Sequence, residues 1–264
     1  MRLNMKMKLV AAAAGGLLLS SVAQGAEVKV LASGAVKEAA LELFPQFEQA
    51  SGNKVVVTWA GTVDIKKKIA AGEVFDLVIV ASPELDTFAK DGKIAAGSKV
   101  DLVRSSIGVA VKAGAPKPDL KSGDDLKKTL LAAKSVGYST GPSGVYLISL
   151  FEKMGIADQI KAKAKITTPG VPVASLIRSG EAEIGFQQVS ELIHEVGIDF
   201  LGPLPADVQN ITVFSSGVPA AAKAQTEARA LQKFLTAPAA APVIKKHGLE
   251  RAARSSSAKL AQSK

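Results

Sequence analysis

Five turns in this chain have the residue types needed to hold a small anion: Ser33-Gly34-Ala35, Gly61-Thr62, Ser82-Pro83, Ser143-Gly144-Val145 and Gly170-Val171. Each sets small or hydroxyl residues where an amphipathic stretch begins. Backbone N–H groups at a helix start have no partner inside the helix, and the helix dipole is positive there. A single Ser or Thr at such a place is an ordinary N-cap. Their recurrence along the chain points to an anion held between two lobes by neutral dipoles.

A few side chains near these turns are able to hold or move a proton. Lys37 follows Ser33 by one helical turn and is a candidate for proton transfer or anion contact; the alternative is an exposed lysine. Tyr146, in the first turn after Ser143, is a second proton-transfer candidate, with a half-buried core tyrosine as its alternative. Arg104 falls where the chain is expected to cross between lobes, facing either the cleft or the surface. His194 is a weaker acid/base candidate. His247, beside Gly248, reads as a C-terminal cap, and Asp76 as a structural carboxylate paired with backbone or a cation.

The elements that must position these residues alternate in type. Val28 to Leu31, Lys54 to Trp59 and Asp76 to Val80 read as strands, each followed by a small-residue turn and a helical stretch. In the first such stretch Val36, Ala40, Leu43 and Phe47 recur at the spacing of one helix face. The same alternation continues through strands at Ile107–Val111, Ser135–Tyr138, Ile184–Gln187 and Ile211–Phe214, with a helix from Val145 to Lys153. Strand, turn and helix in repetition predict an α/β fold of two lobes, each a mostly parallel sheet flanked by helices. In such sheets ligands bind beyond the carboxyl ends of the strands. Residues 26–103 with 214–264 are expected to form the first lobe, and 104–213 the second.

Composition narrows the function further. The chain has 264 residues, 47% of them hydrophobic and 22% charged, which fits a globular protein and not a disordered one. It has no cysteine, which excludes thiol nucleophiles, disulfides and Cys-ligated metals; two histidines disfavour a multi-histidine metal site. No metal and no cofactor are expected. Arg2, Lys6 and Lys8 precede an apolar run from Leu9 to Leu19 and small residues Ala23 and Gly25, the order of a secretory signal peptide over 1–25. The run is too short to span a hydrocarbon core of about 30 Å. The lysines are scattered and lack interleaved aromatics, so the formal net charge of +9 suits a small polyanionic ligand better than nucleic acid. A periplasmic monomer is the expected form.

Taken in order, four segments give the sequence a family resemblance: Gly72 to Ala81, Gly141 to Tyr146, Ser179 to Gly185, and Phe234-Leu235-Thr236 with Lys246 to Leu249. The chain resembles the periplasmic molybdate-binding proteins of ABC importers, in the type II solute-binding fold. That resemblance implies an anion cleft between lobes and a possible permease partner. It also marks departures. Ala35 stands where the family places its first ligand serine, and Gly61-Thr62 where it has a serine pair. Gln188, preceded by Gln187, stands where it has an oxyanion-binding tyrosine. The family's backbone contacts fall near Ser143 and Gly170. Two amides that both donate and accept suit a larger, planar carboxylate ligand. A related branch, the periplasmic aconitate isomerases, looks like a solute-binding protein turned enzyme. On that resemblance the expected activity is a proton shift interconverting cis- and trans-aconitate. Transport binding of oxyanions or organic acids is the alternative.

Overall fold

The computed structural model describes residues 25–167 and 171–252. The rest of the expected signal segment, Gly170 and the polar tail from Ser255 lie outside the described residues. The first lobe opens with three strand–helix units: β1 (Glu27–Ser33) and α1 (Lys37–Ser51), β2 (Lys54–Ala60) and α2 (Thr62–Ala70), β3 (Leu77–Ala81) and α3 (Ser82–Lys90). The long strand β4 (Val100–Lys112) then carries the chain into the second lobe. That lobe contains α4 (Gly123–Ala132), β5 (Val136–Tyr138), α5 (Pro142–Lys153), α6 (Ala157–Lys161) and β6 (Ala164–Ile166). It continues with α7 (Val173–Ser179), β7 (Ile184–Gln188), α8 (Val189–Leu192) and β8 (Ile198–Pro203). The return strand β9 (Ile211–Gly217) leads to α9 (Gln225–Thr236), α10 (Ala241–Lys246) and β10 (Glu250–Arg251) in the first lobe.

The strand order is β2-β1-β3-β9-β4-β7-β5-β6, with β8 and β10 both paired to β4. β1 is parallel to β2 and β3, and β5 is parallel to β6 and β7. β4 and β9 run antiparallel to their neighbours. β4 serves both lobes: Val100 to Ser106 pair with β9, and Ile107 to Val111 pair with β7. The crossings expected near Val103-Arg104 and Val213-Phe214 fall within β4 and β9.

Burial explains the elements. Every residue of β3 is buried, as a central strand covered by helices on both faces requires. Helix α1 turns Ala39, Ala40, Leu43, Phe44 and Phe47 inward, and ends at Gly52, whose φ of 75° a side-chain-bearing residue rarely adopts. Burying one such Leu or Phe contributes about 1.5–3 kcal/mol. The second lobe has its own core around Leu126, Leu130, Leu147, Phe151 and Phe186. Asp76, read as structural, is buried and accepts the backbone N–H groups of Lys29 (2.9 Å), Lys223 (2.8 Å) and Ala224 (2.9 Å). It ties β1 to the segment that enters α9. Among the described residues no helix is long and apolar enough to cross a membrane.

Candidate functional site

A cleft of about 280 Å³ opens where the parallel strands of both lobes end. Register brings those ends together: Ser33 pairs with Ala60 in the first lobe, and Tyr138 pairs with Phe186 and Ile166 in the second. The residues just beyond them line the cleft. Ser33, Gly34, Lys37, Trp59 and Gly61 come from the first lobe, and Ser139 to Pro142, Thr167, Val171, Gln187, Glu191 and His194 from the second.

The lobes meet closely here. A Cβ on Gly61 would lie 2.7 Å from Thr140 Oγ1, and one on Gly34 would lie 2.9 Å from Glu191 Oε1. Only a residue without a side chain leaves these approaches open. Gly144 is more confined still, since a Cβ there would run into the Ser139 carbonyl oxygen. Helices α2 and α5 both begin at glycines, Gly61 and Gly141, neither of which provides a side-chain cap. The hydroxyls of Thr62 and Ser143, 3% and 0% exposed, are therefore not consumed by capping. Among the described residues neither oxygen has a hydrogen-bond partner. A buried hydroxyl without a partner costs free energy, so each has a hydrogen bond left to make. Ser33, by contrast, caps its own turn by accepting the Ala35 N–H at 3.4 Å.

The chemistry of the cleft centres on Glu191, which the sequence reading did not single out. Its half-buried carboxyl lines the cleft between the lobes, and desolvation there raises it from the usual carboxylate range to about 7. Three groups oppose that rise: the Gln187 side-chain amide, the Gln188 backbone amide and the charge of Lys37. Gln187 is fixed from both ends. Its Oε1 accepts the Val173 N–H at 2.9 Å, and its Nε2 donates to Glu191 Oε1 at 2.8 Å. A carboxyl group pushed up toward neutrality, beside a lysine and helix N-termini, has the properties of a general acid/base.

The remaining expected residues separate into two groups. Lys37, Ser33, Gly34, Gly61, Val171 and Gln187 line the cleft. Thr62, Ser143, Gly144 and Ala35 adjoin it in the same turns. Five others are placed elsewhere. The Tyr146 hydroxyl donates to the Val208 carbonyl at 2.9 Å, with its ring against the second core. Arg104 pairs with Glu250 at 2.7 Å on the outer edge of β4, where β10 joins it. Gln188 is 0% exposed and donates to Thr212 Oγ1 at 3.1 Å. Alternation along β7 sends it to the face opposite Gln187. Ser82 begins α3 away from the cleft lining, and Val145 faces outward from α5.

Glu191 was obscured because α8 is a single turn, too short for any hydrophobic period to register. The available signal was an acidic residue in the first turn after a buried parallel strand, the position at which doubly wound folds place ligands. Trp59, Thr140 and Thr167 were likewise unflagged, each lying at or just beyond a strand's carboxyl end.

Comparison with known proteins follows this geometry. The sequence profile described as "Bacterial extracellular solute-binding protein" matches residues 28–250. Over 254 residues the chain is 37% identical to an aconitate isomerase from a Pseudomonas species, covering 92% of this chain and 97% of that one. It is 27% identical to the molybdate-binding protein ModA of Azotobacter vinelandii, covering 91% and 96%. The solved periplasmic molybdate-binding protein of that organism superposes with a TM-score of 0.70 at 19% identity, covering 84% of this chain and 98% of that one. Its two-lobed type II architecture is the one described above. The chain thus belongs to the bacterial extracellular solute-binding protein family.

Proposed function

We propose that this protein is a periplasmic isomerase of a small tricarboxylate, interconverting cis- and trans-aconitate by a proton shift. The observation that carries the reading is the Glu191 carboxyl inside the cleft, raised to about 7 and held by Gln187. A pocket serving only to bind an anion gains nothing from a buried carboxylate, which repels it. An enzyme that must remove a carbon-bound proton needs such a group. The 37% identity to an aconitate isomerase supports the same conclusion.

In the proposed reaction the ionised Glu191 carboxylate takes a proton from the substrate methylene carbon. The C–H electron pair becomes a new carbon–carbon double bond to the central carbon, and the former double bond's electrons move to the outer carbon. The carbanion is delocalised onto the carboxylates, where Lys37 and the N-terminal amides of α2 and α5 offset its charge. Glu191 then returns the proton to the outer carbon, and no atom is gained or lost. Thr62 and Ser143 hold substrate carboxylate oxygens with their unpartnered hydroxyls.

The second reading is a solute-binding protein that delivers an oxyanion or organic acid to an ABC permease. The same free hydroxyls favour it, together with the likeness to molybdate-binding proteins. Proton NMR of the purified protein with cis-aconitate in deuterated buffer separates the two. Appearance of the trans isomer is expected. Saturable binding of aconitate or molybdate without any trans isomer would replace the isomerase reading with the transport one.

A further inference from the structure

Four contacts fasten α8 and the two residues after it to the first lobe. Ser190 Oγ donates to the Ala35 carbonyl at 2.7 Å, and the Glu191 carboxyl lies against Gly34. Ile193 fills the space beside Gly248, where a Cβ would come within 2.7 Å of its Cδ1. His194 Nε2 lies 3.0 Å from His247 Nδ1, and His247 Nε2 lies 3.0 Å from Glu42 Oε2. His247, at the end of α10, is only 8% exposed, whereas His194 borders the cleft. A chain of three side chains thus links the cleft rim to α1 across the lobe boundary.

We propose that His194, His247 and Glu42 form a latch that positions Glu191 against the first lobe and opens when both imidazoles are protonated. One ring must donate and the other accept to keep the bond between them; two imidazolium ions turn N–H groups toward each other and cannot. The carboxylate that faces the pair, Glu42, is already shared with a lysine. From α1 come Lys37, Glu38 and Glu42, and from α10 Lys245 and Lys246. The Lys246 ammonium already occupies Glu42 at 2.8 Å. From α8 and the turn after it come Glu191, directed at Gln187, and Glu195, held by Arg178 at 2.6 Å. His194 and His247 are positioning residues. Their catalytic consequence rests on the role of Glu191 given above, but the latch is a claim about lobe geometry.

Small-angle X-ray scattering of the ligand-free protein tests it without turnover, at about pH 8 and about pH 5. Wild type is expected to be compact at the higher pH and to expand at the lower. His194→Ala alters an exposed residue and should be expanded at both. His194→Gln keeps a group that accepts from His247 but does not titrate, and should stay compact at both. In parallel, an NMR titration of ¹³C-labelled glutamate should show Glu191 shifting from about 7 toward the ordinary carboxylate range in His194→Ala. Equal dimensions for wild type and His194→Ala at both pH values, with an unmoved Glu191 titration, would overturn the latch. Absence of aconitate turnover would count against the isomerase reading alone.

Discussion

Asp76 is a buried carboxylate and Glu191 a half-buried one, and they sit at opposite ends of the parallel strands. Asp76 precedes β3 at the amino end and receives three backbone N–H groups, enough to satisfy an ion. Glu191 follows β7 at the carboxyl end. It is held by one side-chain amide, one backbone amide and the field of Lys37, and this does not offset its desolvation. The same chemical group is structural where the backbone saturates it and reactive where the fold leaves it undersupplied. In this fold the undersupplied end is the ligand end.

Changing each carboxyl to its amide should break that contrast in opposite directions. Glu191→Gln is expected to lower aconitate turnover by roughly 10²–10⁴-fold, the range of one general acid/base. Calorimetric affinity for the same acid should persist, because the anchoring hydroxyls and helix termini remain. Asp76→Asn should instead cost roughly 2–4 kcal/mol in urea unfolding through weakened charge-assisted bonds, with turnover per folded molecule intact.

Stability against pH sharpens the comparison. The folded Glu191 pKa lies above its unfolded value, so the folded state binds more protons between about 4.5 and about 7. Glu191 therefore removes stability as pH rises through that window, by up to roughly 3 kcal/mol above it. Urea unfolding of Glu191→Gln should lack this loss, making the variant more stable than wild type at alkaline pH. The smallest effect is expected at Thr62→Val. Removing an unpartnered buried hydroxyl should leave apo stability nearly unchanged and weaken aconitate binding by about 1 kcal/mol.

Much of this arrangement was legible in the chain. Small-residue turns after β1, β2 and β5 follow from Gly and Ser punctuation, and their convergence follows from the handedness of parallel crossovers. The strand at Ile107–Val111 was seen, but not its extension back to Val100. Antiparallel pairing with β9 and β10 supplies that extension, and local sequence does not encode it. Gly202 and Pro203 end β8, and such residues punctuate a chain locally rather than mark a strand. Arg104 and Tyr146 were drawn toward the cleft by their place in the sequence. Position along a strand does not tell which face or edge a side chain takes, and both found partners elsewhere. Gln187 and Gln188 were treated as a pair, although the strand period of two sends them to opposite sides. Glu191 needed the three-dimensional structure, since its raised pKa comes from desolvation in a cleft where Gly34 of the other lobe lies against it.

The most direct test of the account is the pH dependence of kcat/KM for cis-aconitate, with the substrate's own ionisations titrated separately and divided out. A base on the free enzyme must be ionised to act, so the rate should rise with pH through about 7, where Glu191 loses its proton. A flat profile, or a rise confined to the ordinary carboxylate range near about 4.3, would contradict Glu191 as the group that moves the proton.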